Sequence, residues 1–295
     1  MKRSAFLLSA LILLLETAGC GSLSLQNNGS PQTDSSQVSS SAGEPPQSSA
    51  VPSSDDTVSS DASVQSMASV SSAQTGDTSS QTQQEILKQI NACLNTKVPL
   101  MLPTSVPAEK GRYLTAATTS QAQDYKVNLY ETAQPAEINS EAASKGTLIA
   151  TVGGTEYQDA AGAKDGVSEY EKVDLSSTDQ ILDLGHNIKA AEDAGLGHQQ
   201  LIWNEGRWCL RMDSPTDPAY KNKEYPDREQ LAKDVVAYLE DHMLPAPQEV
   251  GIISINIWDH SYGTTVRWQQ KQTVYQVSSP DPMTALKVAV AMKSN

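Results

Sequence analysis

Two histidines and three carboxylates lie close together in an acidic stretch of the chain. His186 and His198 are 12 residues apart in "DLGHNIKAAEDAGLGHQQ", with Asp183, Glu192 and Asp193 around them. Such groups can bind zinc, which takes three or four ligands, or serve as an acid–base pair. The compact spacings H-E-x-x-H and C-x-x-C are not present, so the sequence predicts no metal and no cofactor. The alternative interpretation is a solvated loop with structural histidines.

The stretch "WNEGRW" (203–208) combines two tryptophans, a carboxylate and a guanidinium within six residues. Aromatic faces and a charge pair are typical of a binding site. The alternating apolar residues on either side instead predict a β-hairpin with its loop at 204–206. The two tryptophans are then expected to be cross-strand neighbours. We interpret the stretch as structural, and the open question concerns Glu205 and Arg207.

Three further motifs predict structure rather than chemistry. His260 adjoins Asp259 and Ser261, but adjacent side chains point apart and cannot form a catalytic triad. Gly153-Gly154 ends an apolar strand without the sequence of a phosphate-binding loop. The segment "DAAGAKDG" (159–166) lacks the calcium-binding pattern. No catalytic residue is therefore predicted.

The N-terminus has the features of an export signal. A basic start at 1–3 is followed by an apolar run from 5 to 15 and by small residues that lead to Cys20. The apolar run is too short to span a bilayer as a helix, which takes about 20 residues. The sequence therefore predicts a signal peptide over 1–19.

The tetrapeptide "TAGC", which ends at Cys20, resembles the lipobox of bacterial lipoproteins. Thr17 and Glu16 depart from the aliphatic pattern of that family. The resemblance implies that Cys20 carries acyl chains, palmitate among them, and becomes the first residue of the mature protein. It also implies a location on the extracytoplasmic face of the cell membrane, with the membrane as a partner through the anchor. The alternative is ordinary secretion with an unmodified Cys20.

The block from 20 to 83 is predicted to be a disordered tether. From 21 to 83, 21 of the 63 residues are Ser and none is Lys, Arg, Phe, Tyr or Trp. Such a composition cannot bury enough apolar surface to offset the entropy of ordering. The folded domain is expected over 84–295. Because the chain has a net charge of −14 and no basic cluster, nucleic acid is not an expected partner.

Two cysteines remain once Cys20 is assigned to the anchor. Cys93 and Cys209 are a possible disulfide, since an exported protein meets an oxidising environment. The alternative is that both are small buried hydrophobes. Cys93 is predicted on the apolar face of a helix, and Cys209 lies within an alternating strand.

Helix and strand signals indicate an α+β domain with an antiparallel sheet. A capping box at Thr82 predicts the first helix, and strands follow from residue 112. The C-terminal half contains two possible strand–strand–helix units. Trp203 and Trp268 end their first strands, and Asp227 and Asp281 cap their helices.

These units resemble uncharacterised lipoproteins of Gram-positive bacteria and, more distantly, lipoprotein-carrier and anti-sigma-factor-associated domains of bacterial envelopes. The resemblance covers about 200–295 and implies a curved sheet against helices. It transfers no functional residue, although some members bind acyl chains.

Three functions follow as hypotheses. The first is a membrane-anchored extracytoplasmic lipoprotein that acts as a non-enzymatic binding or interaction module for an envelope protein, the wall or an apolar ligand. The second is an anchored hydrolase of envelope material that uses residues of 156–200 such as Asp193 and His198. The third is a carrier of an apolar ligand. The sequence contains no catalytic signature that would favour the second.

Overall fold

A computed structural model describes residues 78–259 and 263–294, all within one unit that spans Ser69–Asn295. The five α-helices of these residues are α1 (Thr78–Cys93), α2 (Glu141–Ser144), α3 (Ala160–Gly166), α4 (Arg228–Asp241) and α5 (Pro282–Ala291). The strands are β1 (Met101–Pro103), β2 (Tyr113–Gln121), β3 (Asp124–Thr132), β4 (Thr147–Glu156), β5 (Ile181–Gly185), β6 (Ile188–Gly195), β7 (His198–Glu205), β8 (Trp208–Pro215), β9 (Gly251–Asn256), β10 (Thr264–Gln270), β11 (Thr273–Ser279) and β12 (Met292–Ser294).

Ten of the strands form one open sheet in the order β2-β3-β4-β11-β10-β9-β8-β7-β6-β5. Neighbouring strands are antiparallel except β8 and β9, which run parallel with α4 between them in the chain. The short strands β1 and β12 pair with each other. This architecture confirms the predicted α+β class with a mostly antiparallel sheet.

The main core lies between one face of the sheet and α1, α4 and α5. Alternate strand residues point to this face, and the largest of them, Trp203 and Trp268, are fully buried. Ile90 of α1, Val235 of α4 and Leu286 of α5 pack into the same core. None of the described helices is both long and apolar enough to cross a bilayer.

Two hairpin–helix units of the sheet share one register. The first unit consists of β7, β8 and α4, and the second of β10, β11 and α5. Trp203 faces Leu210 in the first hairpin, and the residues 65 positions later, Trp268 and Tyr275, face each other in the second. All the remaining residue pairs of the second hairpin also lie 65 positions after a pair of the first. The predicted pair of strand–strand–helix units is therefore present.

The loop of the first hairpin was predicted too long. The strands of the first unit continue to Glu205 and resume at Trp208, which leaves a two-residue turn at 206–207 in place of the loop at 204–206. Trp203 and Trp208 are consequently not direct partners, and the ring of Trp208 lies 6.2 Å from that of Trp268 instead. Gly206 has a φ of 60°, as the first position of such a turn prefers.

The glycine pair at 153–154 lies inside β4 and does not end it. An added Cβ on Gly154 would meet the rings of Tyr125 and Tyr275 at 2.7 Å and 3.1 Å. The glycine therefore makes room for two aromatic rings that cover the strand on its core face. Since the backbone pairs with β3 and β11 on both sides, its N–H groups form sheet hydrogen bonds and no phosphate loop exists here.

The first helix begins at Thr78, ahead of the capping box predicted at Thr82 and of the domain boundary predicted at residue 84. The caps of the two later helices are confirmed. The side chain of Asp227 accepts from the backbone N–H of Gln230, and that of Asp281 accepts from the N–H of Thr284.

Candidate functional site

The face of the sheet opposite the main core is polar over much of its area. Because strand residues alternate, the neighbours of the buried Leu210 and Met212 on β8 point to this second face. Helix α3 covers only its middle, where Ala163 packs near Cys209 and Ile252. Towards the end of the sheet formed by the C-termini of β8 and β9, polar side chains line an open depression. We call this depression the polar groove.

The polar groove has a volume of about 330 Å³. Side chains of β7, β8, β9 and β10 form its floor, and a loop residue, Glu169, stands at its edge. Its polar lining residues are Glu169, His198, Gln200, Arg211, Asp213, Ser254, Asn256 and Thr265.

A histidine, a carboxylate and an indole form a hydrogen-bonded cluster in the polar groove. The Nδ1 atom of His198 lies 2.9 Å and 3.0 Å from the two carboxylate oxygens of Asp213. The indole N–H of Trp258 donates to the same carboxylate at 2.7 Å, and the ring centres of Trp258 and His198 are 4.8 Å apart. Since a carboxylate only accepts, Nδ1 carries a proton in this pair, and in the neutral ring Nε2 is then the acceptor. The cluster therefore holds His198 in one tautomer.

A second depression of about 680 Å³ adjoins the polar groove and shares Gly263 and Thr265 with it. Residues 222–224 form one of its sides, within the connector that leads from β8 to α4. Backbone hydrogen bonds hold this connector, from Asp259 to the oxygen of Tyr220 at 2.8 Å and from Asn222 to the oxygen of Ile257 at 3.1 Å, and the ring of Tyr220 lies 6.4 Å from that of Trp258. Trp258 thus joins the connector to the hydrogen-bonded cluster.

The structure does not bring the two predicted histidines together. His186 lies on the turn between β5 and β6, with Nδ1 4.0 Å from the Glu240 carboxylate of α4. Glu192 points to the core face and forms an ion pair with Arg228 at the start of α4. Among the described residues, no three His, Cys, Asp or Glu side chains are arranged to hold a metal ion.

Asp193 is not a partner of His198 either. It lies on β6 opposite Gln200, and its carboxylate accepts from the neighbouring backbone N–H of Ala194. The carboxylate that does contact His198 belongs to Asp213, 15 residues away across the β7–β8 hairpin. Closeness in the sequence therefore did not identify the carboxylate that pairs with His198.

Glu205 and Arg207, the two open positions of "WNEGRW", both have structural contacts. Glu205 accepts from the indole N–H of Trp203 at 2.8 Å, and burial raises the pKa of its carboxyl group. Arg207 donates to the backbone oxygen of Gln248 at 2.8 Å. The two residues line a depression of about 340 Å³ together with Leu239 and Met243. Both side chains therefore hold the hairpin end in place.

The possible disulfide between Cys93 and Cys209 is not formed. Both thiols are free, Cys93 is exposed and Cys209 is buried. The interpretation as a buried hydrophobe is correct for Cys209, whose thiol pKa is raised by burial. It is wrong for Cys93, because the helix ends there and leaves the side chain in solvent.

His242 has a structural role at the C-terminal end of α4. Its Nδ1 lies 2.8 Å from the backbone oxygen of Tyr238, and the two rings stack at 4.1 Å. The segment 159–166 forms α3, with Asp159 as its N-cap, rather than a calcium loop. The predictions for the signal peptide, for Cys20 and the tether up to residue 77, and for His260 and Ser261 lie outside the described residues.

Asp213, Arg211 and Trp258 were not predicted as site residues. For Arg211 and Asp213, a gapless comparison of "LIWNEGRWCLRMDSP" (201–215) with "VRWQQKQTVYQVSSP" (266–280) contains the missing signal, and no such signal marks Trp258. It aligns the shared Trp, Ser and Pro and places Arg211 against Gln276 and Asp213 against Ser278, although the second hairpin has its own charges at Arg267 and Lys271. Comparison with protein-family models, with curated proteins and with solved structures found no match.

Proposed function

We propose that this protein is a lipid-anchored extracytoplasmic lipoprotein whose folded domain is a non-enzymatic binding module for a polar component of the cell envelope. The polar groove is its binding surface. The observation that carries the proposal is the unused hydrogen-bonding capacity there. Among the described residues, the side chains of Gln200, Arg211 and Thr265 line the groove without a hydrogen-bond partner. Polar groups that converge on a concavity without satisfying one another suit a ligand.

The anchor and the tether support this placement of the domain. The basic start, the apolar run and the "TAGC" segment before residue 21 favour export followed by lipidation of Cys20. Acyl chains on Cys20 provide stable attachment, since two or more chains hold a protein at a bilayer. The Ser-rich block that follows separates the folded domain from the bilayer and allows it to reach envelope material.

One observation favours an anchored hydrolase as a second candidate. The His198–Asp213 pair has the geometry of a general base held by a carboxylate. Among the described residues, however, no Ser, Thr or Cys side chain donates to the free ring nitrogen of His198. A hydrolase built from the described residues alone would therefore activate a water molecule.

The carrier hypothesis gains no support from the packing. The space between the helices and the sheet is occupied by large buried side chains, including Trp203, Trp268 and Leu286. An acyl chain would have to displace these residues from the main core, at a cost in stability that a preformed cavity does not impose.

Co-sedimentation with insoluble cell-wall preparations tests the binding proposal. The full chain, purified in detergent, is expected to sediment with wall material, and His198→Ala combined with Gln200→Ala is expected to reduce the bound fraction. His242→Ala is the matched control, because His242 is also an exposed histidine but contacts its own helix. Undiminished sedimentation of the groove variant would contradict the proposal. Release of soluble wall fragments by the wild type, lost in His198→Ala, would establish the hydrolase instead.

Mass spectrometry of the mature N-terminus tests the anchor separately. We expect cleavage after residue 19 and an acylated Cys20 in membrane fractions. The variant Cys20→Ser is expected to leave the membrane fraction. An unmodified Cys20 in the wild-type protein would contradict the lipoprotein assignment without affecting the groove.

A further inference from the structure

We propose that the polar groove recognises an oxyanion, a carboxylate or a phosphate, through the guanidinium group of Arg211. The inference rests on the proposed function, because it names the ligand class of that same groove. Arg211 lies on β8 and lines the groove floor, with its side chain half-buried. Within the described part of the chain, no hydrogen bond or ion pair joins its guanidinium to a protein group. The guanidinium therefore faces the groove with its donors unused by the protein, and a charged, planar donor set of this kind favours an anionic ligand.

The carboxylates that line the groove are already engaged by other donors. Both oxygens of Asp213 lie within 3.0 Å of His198, and one of them also accepts from Trp258 at 2.7 Å. Glu169 lies 3.5 Å from a guanidinium nitrogen of Arg267. The protein thus supplies partners for both carboxylates and leaves the positive charge of Arg211 for a ligand.

Two groups next to Arg211 have donors that the protein does not use. Ser254 is its direct partner in the parallel β8–β9 register, and its buried hydroxyl has no hydrogen-bond partner among the described residues. Asn256, two residues further along β9 and paired with Asp213, accepts from the backbone N–H of Trp258 through its amide oxygen. Its NH₂ group therefore remains free to donate. A ligand group that only accepts, such as a carboxylate or phosphate, fits this set of donors.

The second hairpin–helix unit shows that the fold does not need a charge at this position. The residue 65 positions after Arg211 is Gln276, which occupies the same place in its hairpin. The residue equivalent to Asp213 is Ser278. Both hairpins have the same register, so the arginine and the aspartate are additions to a framework that forms without them.

Carboxylates of wall peptides and phosphates of wall polymers or lipid headgroups share this chemistry. A guanidinium can donate two parallel hydrogen bonds to either group. The two sources are separated by titrating the full chain with N-acetyl-D-alanine and with glycerol phosphate. The amide of N-acetyl-D-alanine and glycerol are the uncharged counterparts. NMR of the arginine side-chain N–H groups reports binding at individual residues.

We expect at least one of the two anions to shift the Nε–H signal of Arg211, and neither uncharged counterpart to do so. Arg211→Gln, which installs the residue found at the equivalent position of the second unit, is expected to weaken anion binding about ten- to a hundredfold. Arg211→Lys keeps the charge but loses the paired donors, so an intermediate loss is expected. Arg207→Gln is the matched control, because it removes the same charge from the other end of the hairpin and should leave binding unchanged.

Three results would overturn the inference. The first is that the Arg211 signal does not respond to either anion at tens of millimolar. The second is that Arg211→Gln binds the anion as tightly as the wild type does. The third is that Arg211→Gln and Arg207→Gln lose the same amount of anion affinity. If wall sedimentation nevertheless depends on His198 and Gln200, the groove is a binding surface for an uncharged ligand, and only the oxyanion inference fails. If sedimentation is independent of those two residues, the proposed function fails as well. Circular dichroism of each variant verifies that it is folded.

Discussion

The two hairpin–helix units of the sheet have the same backbone pairing and different side-chain chemistry. The residues they share are a tryptophan in the core (Trp203 and Trp268), a Ser-Pro pair that ends the hairpin, and an aspartate cap on the following helix. Four charged positions of the first unit are uncharged in the second. These pairs are Glu205 and Gln270, Arg207 and Gln272, Arg211 and Gln276, and Asp213 and Ser278.

A second difference lies in the connector between hairpin and helix. In the second unit Pro280 and Asp281 lead directly from β11 into α5, whereas residues 216–227 intervene between β8 and α4 in the first. The added residues line the depression next to the polar groove. The difference between the units therefore separates two requirements. The shared residues build the hairpin and its helix, whereas Arg211 and Asp213 of the first unit line the polar groove and its connector lines the adjoining depression.

The largest expected effect tests whether the two tryptophans are equivalent in the core. Both are fully buried, and we expect Trp203→Ala and Trp268→Ala each to lower the free energy of unfolding by about 3–5 kcal/mol. The measurement is chemical denaturation followed by circular dichroism. A small loss in either variant would break the equivalence of the two units.

The variants Trp203→Phe and Trp268→Phe test whether the two indole N–H groups contribute equally to stability. The indole N–H of Trp203 donates to Glu205, whereas that of Trp268 has no partner within the described residues. Phenylalanine keeps the aromatic volume at both sites. We expect the variant at 203 to lose more stability, by about 1 kcal/mol.

The next effect compares the two helix caps. Asp227 accepts one backbone N–H, and Asp227→Ala should cost about 1 kcal/mol. Asp281 accepts the N–H of Thr284 and also the hydroxyl of Tyr225 from the connector of the first unit, so Asp281→Ala should cost about 2 kcal/mol. In a Tyr225→Phe background the costs of the two Asp→Ala changes should become similar. An unchanged difference would show that the tyrosine does not account for it.

A smaller effect is expected at the hairpin turns. Gly206 and Lys271 occupy the same turn position, with φ values of 60° and 54°. A side chain at 206 would meet nothing within 4 Å, so only backbone strain opposes it. We expect Gly206→Lys to cost about 1 kcal/mol and Lys271→Gly to raise stability by less, because glycine also loses more entropy on folding. Opposite signs in thermal melts would confirm the shared turn geometry, and equal signs would contradict it.

The smallest effect concerns pH. Burial raises the pKa of Glu205, while the hydrogen bond from Trp203 lowers it in part. As pH rises through the ordinary range of a glutamate, the unfolded chain loses its proton before the native one does, so native stability falls. We expect the stability of the wild type relative to Glu205→Gln to decrease from about pH 4 to pH 7.

The second unit supplies the control for this pH effect. Gln270→Glu places a carboxyl group at the equivalent position, two residues after the unpartnered indole of Trp268. It should introduce a pH dependence of the same sign. A flat difference between the wild type and Glu205→Gln would contradict the assignment of the raised pKa to this site.

Much of the fold could be predicted from local sequence patterns, but the candidate site could not. Alternation predicted the hairpins, and the Asp227 and Asp281 caps were identified from their spacing to the next polar and apolar residues. The pair at 153–154 was misread as a strand end, because the rings that cover Gly154 come from β3 and β11. Helical periodicity alone placed Cys93 in the core, although the helix ends there.

What the sequence by itself determined is the set of local elements, since caps, turns and alternation depend on residues a few positions apart. It also contains the basic start, the apolar run and the "TAGC" segment on which the prediction of export rests, and the Ser-rich composition of the block up to residue 83. Only the tertiary structure decided which polar residues meet. Arg211 lies beside Ser254 because β8 and β9, which α4 connects in the chain, pair directly and in parallel. Trp258 donates to Asp213, which is 45 residues away in the sequence. The register between distant strands is chosen by the packing of both sheet faces together, and no local pattern encodes it.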